Sequence, residues 1–552
     1  MRASRSIGLV LAASLLAGCG DEAALPRVPR LGRFELPLDT PDPAGVRATF
    51  TSPTGRAVDV GAFPTHGKAA LRFAPSELGV WSYRAADAAG KSLATGSFRA
   101  VASSDHGFVR VDASDRHHLR FDDGARFFVL GENRINIYDP SWNYEKKSIP
   151  DYVAYMAENG MTTLRVFVFT DAQAEDRKGG EQLGCLEPKM GVFDDQAAAD
   201  FDAIFDAAEK HGVYVVLTAF ALGFSPPPDT WKSWADNPYA AANGGVCKDR
   251  FQFFDDEDAR AHAKERLRYI VNRWGSSTHL LAIDLLNEPE WDGEIGEDPW
   301  IPWAEELADD LRAHDPYGHL VTVGSVGLSW NVEGDERRFY GDARDDMIQW
   351  HLYGPDFYEP HALALEMDRR VREVWSYDKP VFCGEFAYGG EDKTTYDHTH
   401  DGIWSAFFAG GGAVAHSAPP FTIDSDEYMT PARGAHFRAL RRFVDALDPA
   451  MPLVPGPLAD GAPAGTKVWS IGGPDARAVW ALAPVDGYGE PVKGARLPVP
   501  DLAPGRYLVT YWDDEKGAVF ASDDETVGAD HAIAPPPFVR HVAAVVTRAP
   551  AR

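Results

Sequence analysis

Between Arg126 and about Pro419 the chain alternates apolar, strand-like runs with amphipathic, helix-like ones, and this constrains the fold more than any other feature. The apolar runs are FFVLGEN, MTTLRVFVF, VYVVLTAF, LLAIDLLNE, HLVTVGS, MIQWHLY, KPVFCGE and GGAVAHS. Between them lie helical stretches such as DYVAYMAENG, AAADFDAIFDAAEKHG, DEDARAHAKERLRYIVNRWG, WAEELADDLRAHD and ALALEMDRRVREVWS. Eight strands alternating with helices is the count of a closed (β/α)8 TIM barrel, an α/β fold. A doubly wound open sheet also alternates, but usually has fewer strands, and no Gly-rich phosphate loop follows the first run here.

The flanks read differently. Residues 33–103 carry period-two alternation in VRATF and KAALRFAP, with Gly, Pro and Asp in the gaps, as an N-terminal β-sandwich would. Trp81 and Tyr83 fall on one face of their strand. From residue 450, KVWSI, ARAVWALAP, GRYLVTYWDD, GAVFAS and VRHVAAVVTR alternate likewise and imply a C-terminal β-sandwich, with GAHFRALRRFVDAL as a helix closing the barrel before it. A chain of 552 residues has room for these domains. The expected division is a leader at 1–18, a tether at 19–32, β-sandwich 33–103, barrel 104–449 and β-sandwich 450–552. No repeat of 20–50 residues is visible.

The leader, MRASRSIGLVLAASLLAGC, has a basic start at Arg2 and Arg5 and an apolar run, Ile7 to Leu16, too short for a membrane span but suited to a signal peptide. Leu16-Ala17-Gly18-Cys19 resembles the bacterial lipobox. That resemblance implies cleavage before Cys19, lipid on Cys19, and an exported body held at a bacterial membrane on its periplasmic or outer side. An ordinary cleaved signal with an incidental cysteine is the alternative. Three cysteines remain. Cys383, in KPVFCGEF, reads as a buried small residue, whereas Cys185 and Cys247 lie in Gly-rich segments where a disulfide is open to them. A net charge of −29 disfavours nucleic acid and anionic membrane surfaces as partners and allows a neutral substrate.

The chemistry is expected at the C-terminal ends of barrel strands. Strand four, LLAIDLLNE, ends abruptly in Asn287-Glu288-Pro289, and strand seven ends in Glu385, within VFCGEFAYGG. Two carboxylates facing one cleft are what hydrolysis of a glycosidic bond needs, one protonated to assist the leaving oxygen and one ionised. With these two positions the chain resembles clan A of the retaining glycoside hydrolases, the cellulase-type and mannanase-type barrels of family 5 in particular, over more than half its length. The resemblance implies Glu288 as general acid/base, Glu385 as nucleophile and Asn287 as a donor to the sugar 2-hydroxyl. It also implies Arg165, in TLRVFVF, as the residue orienting the nucleophile, and His351 and Tyr353, in QWHLYG, as lining of the subsite. Read alone, Arg165 suits a structural ion pair and His351 a core histidine. Phe73, Pro75, Gly79, Trp81 and Tyr83 also fit an F-x-P-x-x-x-G-x-W-x-Y pattern found in an N-terminal β-sandwich attached to bacterial barrels of this kind.

One position departs from the family. Members usually carry an aromatic, often Trp, at the end of strand eight, where this chain has His416-Ser417. Trp404, Trp330, Trp291 and Tyr388 are candidates to stack on the sugar instead. Other tryptophans in loops, Trp142, Trp231 and Trp234, read as packing. His398 and His400, in DHTHD, lack a third ligand nearby in sequence and are expected in a solvated loop, so no metal or cofactor is expected. The leading function is hydrolysis of a poly- or oligosaccharide by double displacement. The competing class is a non-catalytic, carbohydrate-binding lipoprotein. Sugar, linkage and endo or exo action are set by loop shape, which the sequence does not encode in a readable way.

Overall fold

The computed structural model of the protein describes residues 25–134, 148–169, 185–221, 224, 234–289, 299–325, 336–353, 361–386, 397–416 and 430–549. Eight strands, paired in sequence order, close into a parallel barrel. They are numbered β1 (Leu130–Arg134), β2 (Thr163–Phe169), β3 (Tyr214–Ala221), β4 (Leu280–Asn287), β5 (Leu320–Ser325), β6 (Ile348–Leu352), β7 (Val381–Phe386) and β8 (Gly412–His416). β8 returns to β1, with His416 opposite Asn133, and this pairing completes the ring. Each is one of the eight apolar runs. Helices outside and packed side chains inside bury every residue of β3 and β4, which is why these strands read as continuous apolar stretches.

The intervening helices carry the caps expected of their sequences. Ser148 and Pro150 open α1 (Ile149–Glu158), Asp194 opens α2 (Asp195–His211) and Asp256 opens α3 (Glu257–Trp274). Gly212 closes α2 in the left-handed conformation, φ 73°. α4 (Trp300–His314), α5 (Ala362–Val374), α6 (Asp397–Phe408) and α7 (Pro431–Asp445) complete the shell.

The N-terminal end of the barrel is sealed. A three-stranded sheet, Val109–Val111, Leu119–Phe121 and Arg126–Phe127, sets Val109, Leu119 and Phe127 against Tyr214, Leu281, Leu320 and Val414 in one apolar cluster. Only the other end, where the strands finish, is left for chemistry.

β-rich regions flank the barrel on both sides. Before it, a five-stranded and a three-stranded sheet enclose Phe50, Phe73, Trp81 and Phe98. The five-stranded sheet includes Arg27–Pro29, which the sequence places in the tether. Its backbone pairs in parallel with Arg99–Val101, and Val28 is buried, so three residues of an apparently loose segment become an edge strand. Arg72 docks this region on the barrel, bonding Asp202 of α2 at 2.7 Å and the Arg273 carbonyl at 3.0 Å. After the barrel, a six-stranded antiparallel sheet lays Trp469 and Trp480 against the helix shell.

That sheet corrects two expectations. The DHTHD segment begins α6 and is not a solvated loop, and every residue from Thr399 to Phe408 is buried. The helix has apolar residues on more than one face because the C-terminal sheet covers the side that would otherwise meet water. Trp404 is therefore a core residue, 6.2 Å from the Trp480 ring, and cannot serve as a sugar platform. Trp234 also packs, near Phe224. No disulfide joins Cys185 and Cys247; these two and Cys383 are buried thiols. Residues 1–24, Trp142, Trp231, Trp291, Trp330, Tyr388 and Ser417 lie outside the described residues, as does the side chain of His416. Among the described residues no helix is long and apolar enough to cross a membrane.

Candidate active site

Arg165 is the centre of the barrel mouth. Its guanidinium, fully buried on β2, spends all five N–H donors. Nε and one terminal nitrogen donate to Asp284 Oδ2 at 3.2 and 2.7 Å. The same terminal nitrogen donates to Asn287 Oδ1 at 2.7 Å. The other reaches Asn133 Oδ1 at 3.2 Å and Glu385 Oε1 at 2.5 Å. Burial works against this charge, but Asp284 and Glu385 outweigh it and hold the Arg165 pKa above the ordinary value.

The six residues expected at the site are thus brought together. Glu385 ends β7 and is held from two sides, by Arg165 and by the Tyr353 hydroxyl, which donates to its Oε2. Burial first, then the Glu385 and Glu288 charges, push the Tyr353 pKa well above that of a free phenol, so the hydroxyl keeps its proton. Glu288 follows β4. The pairing of β4 with β5 shifts register between Asp284 and Asn287, and Glu288 then adopts φ 47°, a left-handed conformation costly for a residue with a Cβ. Its backbone N–H donates to the Gly324 carbonyl at 2.6 Å. The irregularity turns Glu288 toward His351, whose Nδ1 lies 2.6 Å from Glu288 Oε1 and 3.8 Å from Glu385 Oε2.

The two carboxylates are close. One ligating atom from each of Glu288, His351 and Glu385 lies within 4.8 Å of the others. A carboxylate fixed by a guanidinium and a phenol can attack an electrophilic carbon. A second carboxylate beside an imidazole can pass a proton on and off a neighbouring oxygen.

Sequence reasoning missed the layer beneath. Asp284, completely buried on β4, accepts on Oδ2 from Arg165, from Thr218 Oγ1 at 2.8 Å and from Gln349 Nε2 at 3.0 Å, and on Oδ1 from the Gly324 N–H at 2.9 Å. Its signal was in plain view: a charged residue inside LLAIDLLNE, four before Glu288. Gly324 is required at close quarters, since a Cβ there would sit 2.4 Å from Gln349 Nε2 and 2.9 Å from an Arg165 terminal nitrogen. Asn133, within FFVLGEN, also escaped notice.

Comparison with known proteins agrees with this geometry. The cellulase family, glycosyl hydrolase family 5, matches residues 126–414. The probable mannan endo-1,4-beta-mannosidase F of Aspergillus oryzae is 24% identical over 243 residues, 42% of this chain and 50% of that protein. Mannan endo-1,4-beta-mannosidase 5 of Solanum lycopersicum is 23% identical over 283 residues, 48% of this chain and 60% of that protein. The chain thus spans about half the length of the curated relatives it matches. Among solved structures, a candidate glycoside hydrolase from Bacteroides vulgatus superposes with TM-score 0.65 at 17% identity, covering 95% of this chain and 100% of that one. A glycoside hydrolase family 5 structure from the same organism gives TM-score 0.51 at 15% identity, covering 80% and 93%. At such identities the structural likeness speaks to the fold.

Proposed function

The chain belongs to the cellulase family, glycosyl hydrolase family 5, and from that premise we propose that it is a retaining β-glycoside hydrolase acting on a poly- or oligosaccharide. The observation that carries the reading is the approach of Glu288 and Glu385 within 4.8 Å. Retaining enzymes hold their carboxyl groups about 5–5.5 Å apart, whereas inverting ones need about 6.5–9.5 Å to seat a water. In the first step Glu385 attacks the anomeric carbon while Glu288 protonates the glycosidic oxygen, which leaves as an alcohol. A glycosyl ester on Glu385 remains. In the second step Glu288 takes a proton from water, the water oxygen attacks the same carbon, and the ester bond breaks to free Glu385.

The surroundings suit these roles. Arg165 and the Tyr353 hydroxyl donate to the Glu385 carboxylate and aim it, and their hold loosens as its charge is spent in forming the ester. His351 Nδ1, 2.6 Å from Glu288 Oε1, orients that carboxyl group. Asn287, fixed by Arg165, is placed to meet the sugar 2-hydroxyl. A protein that only bound carbohydrate would have no use for this opposed pair of carboxylates.

The test is chemical rescue. Glu385→Ala should lose nearly all turnover and regain part of it with azide or formate, giving a product of inverted configuration. Full activity in Glu385→Ala or Glu288→Ala, or rescue of neither, would remove the assignment. Mannan is the first polymer to assay because relatives are named mannan endo-1,4-beta-mannosidases; β-glucan, xylan and galactan follow. We also infer from MRASRSIGLVLAASLLAGC that the protein is exported and lipid-attached through Cys19. Cys19→Ser should then move it from the membrane to the soluble fraction, and unchanged fractionation would discard the anchor.

A further inference from the structure

Thr218 on β3 donates to Asp284, so its side chain faces the barrel interior. Strand alternation would send Phe220 the same way, one pleat nearer the mouth. The Phe220 ring instead packs into the helix shell, edge-on to Trp303 of α4 at 5.5 Å and to Phe253 of the short helix Gln252–Asp255 at 5.6 Å. The pairing of β2 with β3 explains the reversal. Phe167 is opposite Thr218 and Phe169 is opposite Ala221, so Val168 alone faces both Ala219 and Phe220. One extra residue in β3 makes a bulge, and a bulge re-aims the side chain that follows.

Arg266 of α3 grips that bulge from one carbonyl on each strand. Its fully buried guanidinium donates from Nε to the Ala219 carbonyl and from one terminal nitrogen to the Val168 carbonyl, both at 3.0 Å. The other terminal nitrogen meets Glu187 Oε2 at 3.1 Å. Arg266 Cζ lies over the Phe220 ring, 4.8 Å from its centre, and so holds the ring on the outer side. Glu187, also fully buried, accepts from the Gly191 N–H at 2.6 Å and from the Tyr239 hydroxyl at 3.3 Å. The pair thus ties residues of the connections that follow β2 and β3 to the ends of those strands. A buried ion pair adds little stability over apolar side chains of the same volume, so its contribution is sought in the conformation it imposes.

Resting on the glycoside hydrolase reading, we propose that Arg266 and Glu187 are positioning residues for substrate: they hold the β3 bulge that keeps the Phe220 ring out of the barrel mouth, and so keep open the sugar-binding space above Arg165 and Asp284. Without the clamp, the Val168 and Ala219 carbonyls lose this donor, β3 gains by returning to regular register, and the ring turns inward beside Thr218. A benzene ring there fills volume that a pyranose needs. Glu288 and Glu385 are carried by β4 and β7 and keep their places, so the loss falls on binding before chemistry.

The test replaces the pair together, Arg266→Met with Glu187→Gln, because one member left alone would be an uncompensated buried charge. A crystal structure of this variant, which needs no substrate, should show the Phe220 ring turned into the mouth. On an aryl glycoside that the wild type hydrolyses, KM should rise at least about tenfold with kcat within about threefold of wild type. Adding Phe220→Val should bring KM back toward the wild-type value, whereas damage to packing alone would be deepened by a further cut in the core. Should the double variant not fold, Arg266→Lys, which keeps the charge and loses the fork, is read in the same way. A ring still packed against Trp303, a fall in kcat at unchanged KM, or no recovery on adding Phe220→Val would overturn the inference. A wild type without turnover would remove the proposed function instead, and the crystal structure would still decide where the ring goes when its clamp is gone.

Discussion

Asp284 should matter to stability and to catalysis, and the two effects can be separated. Asp284→Ala deletes a fully buried carboxylate that accepts five hydrogen bonds, two of them from the Arg165 guanidinium. Removing one partner of a buried ion pair costs about 3–5 kcal/mol, because the other charge stays buried. Thr218, Gln349 and the Gly324 N–H lose their acceptor too, at about 1–3 kcal/mol each when left dry. Water entering the cavity offsets part of this, so we expect the unfolding free energy to fall by about 4–6 kcal/mol, a large share of what an ordinary domain has. Asp284→Asn keeps the shape and removes the charge, and is the better probe of catalysis. Arg165 then serves Glu385 as its one charged partner, with a looser anchor. A reacting group displaced by about 1 Å costs on the order of a hundredfold in rate. We expect that loss in kcat/KM, with the acid limb of the pH profile moved to lower pH because the cation is no longer shared. Urea unfolding and kcat/KM across pH on an aryl glycoside measure both. Wild-type unfolding midpoint and wild-type profile in Asp284→Asn would refute the argument.

Four further outcomes follow from the same geometry. With aryl glycosides, whose leaving groups need no proton, Glu288→Gln should flatten the alkaline limb of kcat/KM; an unchanged limb would assign the proton to another group. Gly324→Ala should lower activity at least about tenfold and destabilise by about 1–3 kcal/mol, since its Cβ meets Gln349 and Arg165; wild-type behaviour would mean the polar layer yields easily. Burial pushes the His279 pKa down to about 4, below the unfolded value, so its stabilising contribution is complete above about pH 6.5 and is lost as pH falls toward 4. That loss, at most about 3 kcal/mol, should be smaller in His279→Gln when urea unfolding is compared at pH 7 and 4.5; an equal loss in both proteins would clear His279. Truncation after residue 450 should expose the outer face of α6 and yield an aggregation-prone protein, and a monodisperse, active product would show that the C-terminal sheet is dispensable.

The barrel was legible in the sequence because strands buried on both faces leave unbroken apolar runs, and the carboxylates were legible because Glu288 and Glu385 interrupt two of those runs at their ends. The layer beneath was harder to assign, because a charge inside a run, such as Asp284, does not name its partners. Asp284 and Asn133 sit inside runs that read as apolar, and their purpose appears only when β2 brings Arg165 between them. The α6 segment begins with polar, histidine-rich DHTHD, and nothing local announces that a sheet formed far downstream will bury it. Arg27–Pro29 shows the same limit on a smaller scale, as an edge strand whose hydrogen bonds belong to a neighbour at residues 99–101.

The network around Arg165 draws on Asn133 of β1, Arg165 of β2, Thr218 of β3, Asp284 and Asn287 of β4, Gly324 of β5, Gln349 of β6 and Glu385 of β7. Seven of the eight staves of the cask are thereby tied by one knot at its mouth. A nascent chain that has laid down only β1 to β4 holds Arg165 with Asn133, Asp284 and Asn287, but it lacks Glu385 and the Gly324 and Gln349 donors that fix Asp284. The proposed catalysis would therefore be a collective property of the closed ring. Two complementary fragments, divided between any pair of neighbours from β1 to β7, would split this knot and should be competent only after they rebuild it.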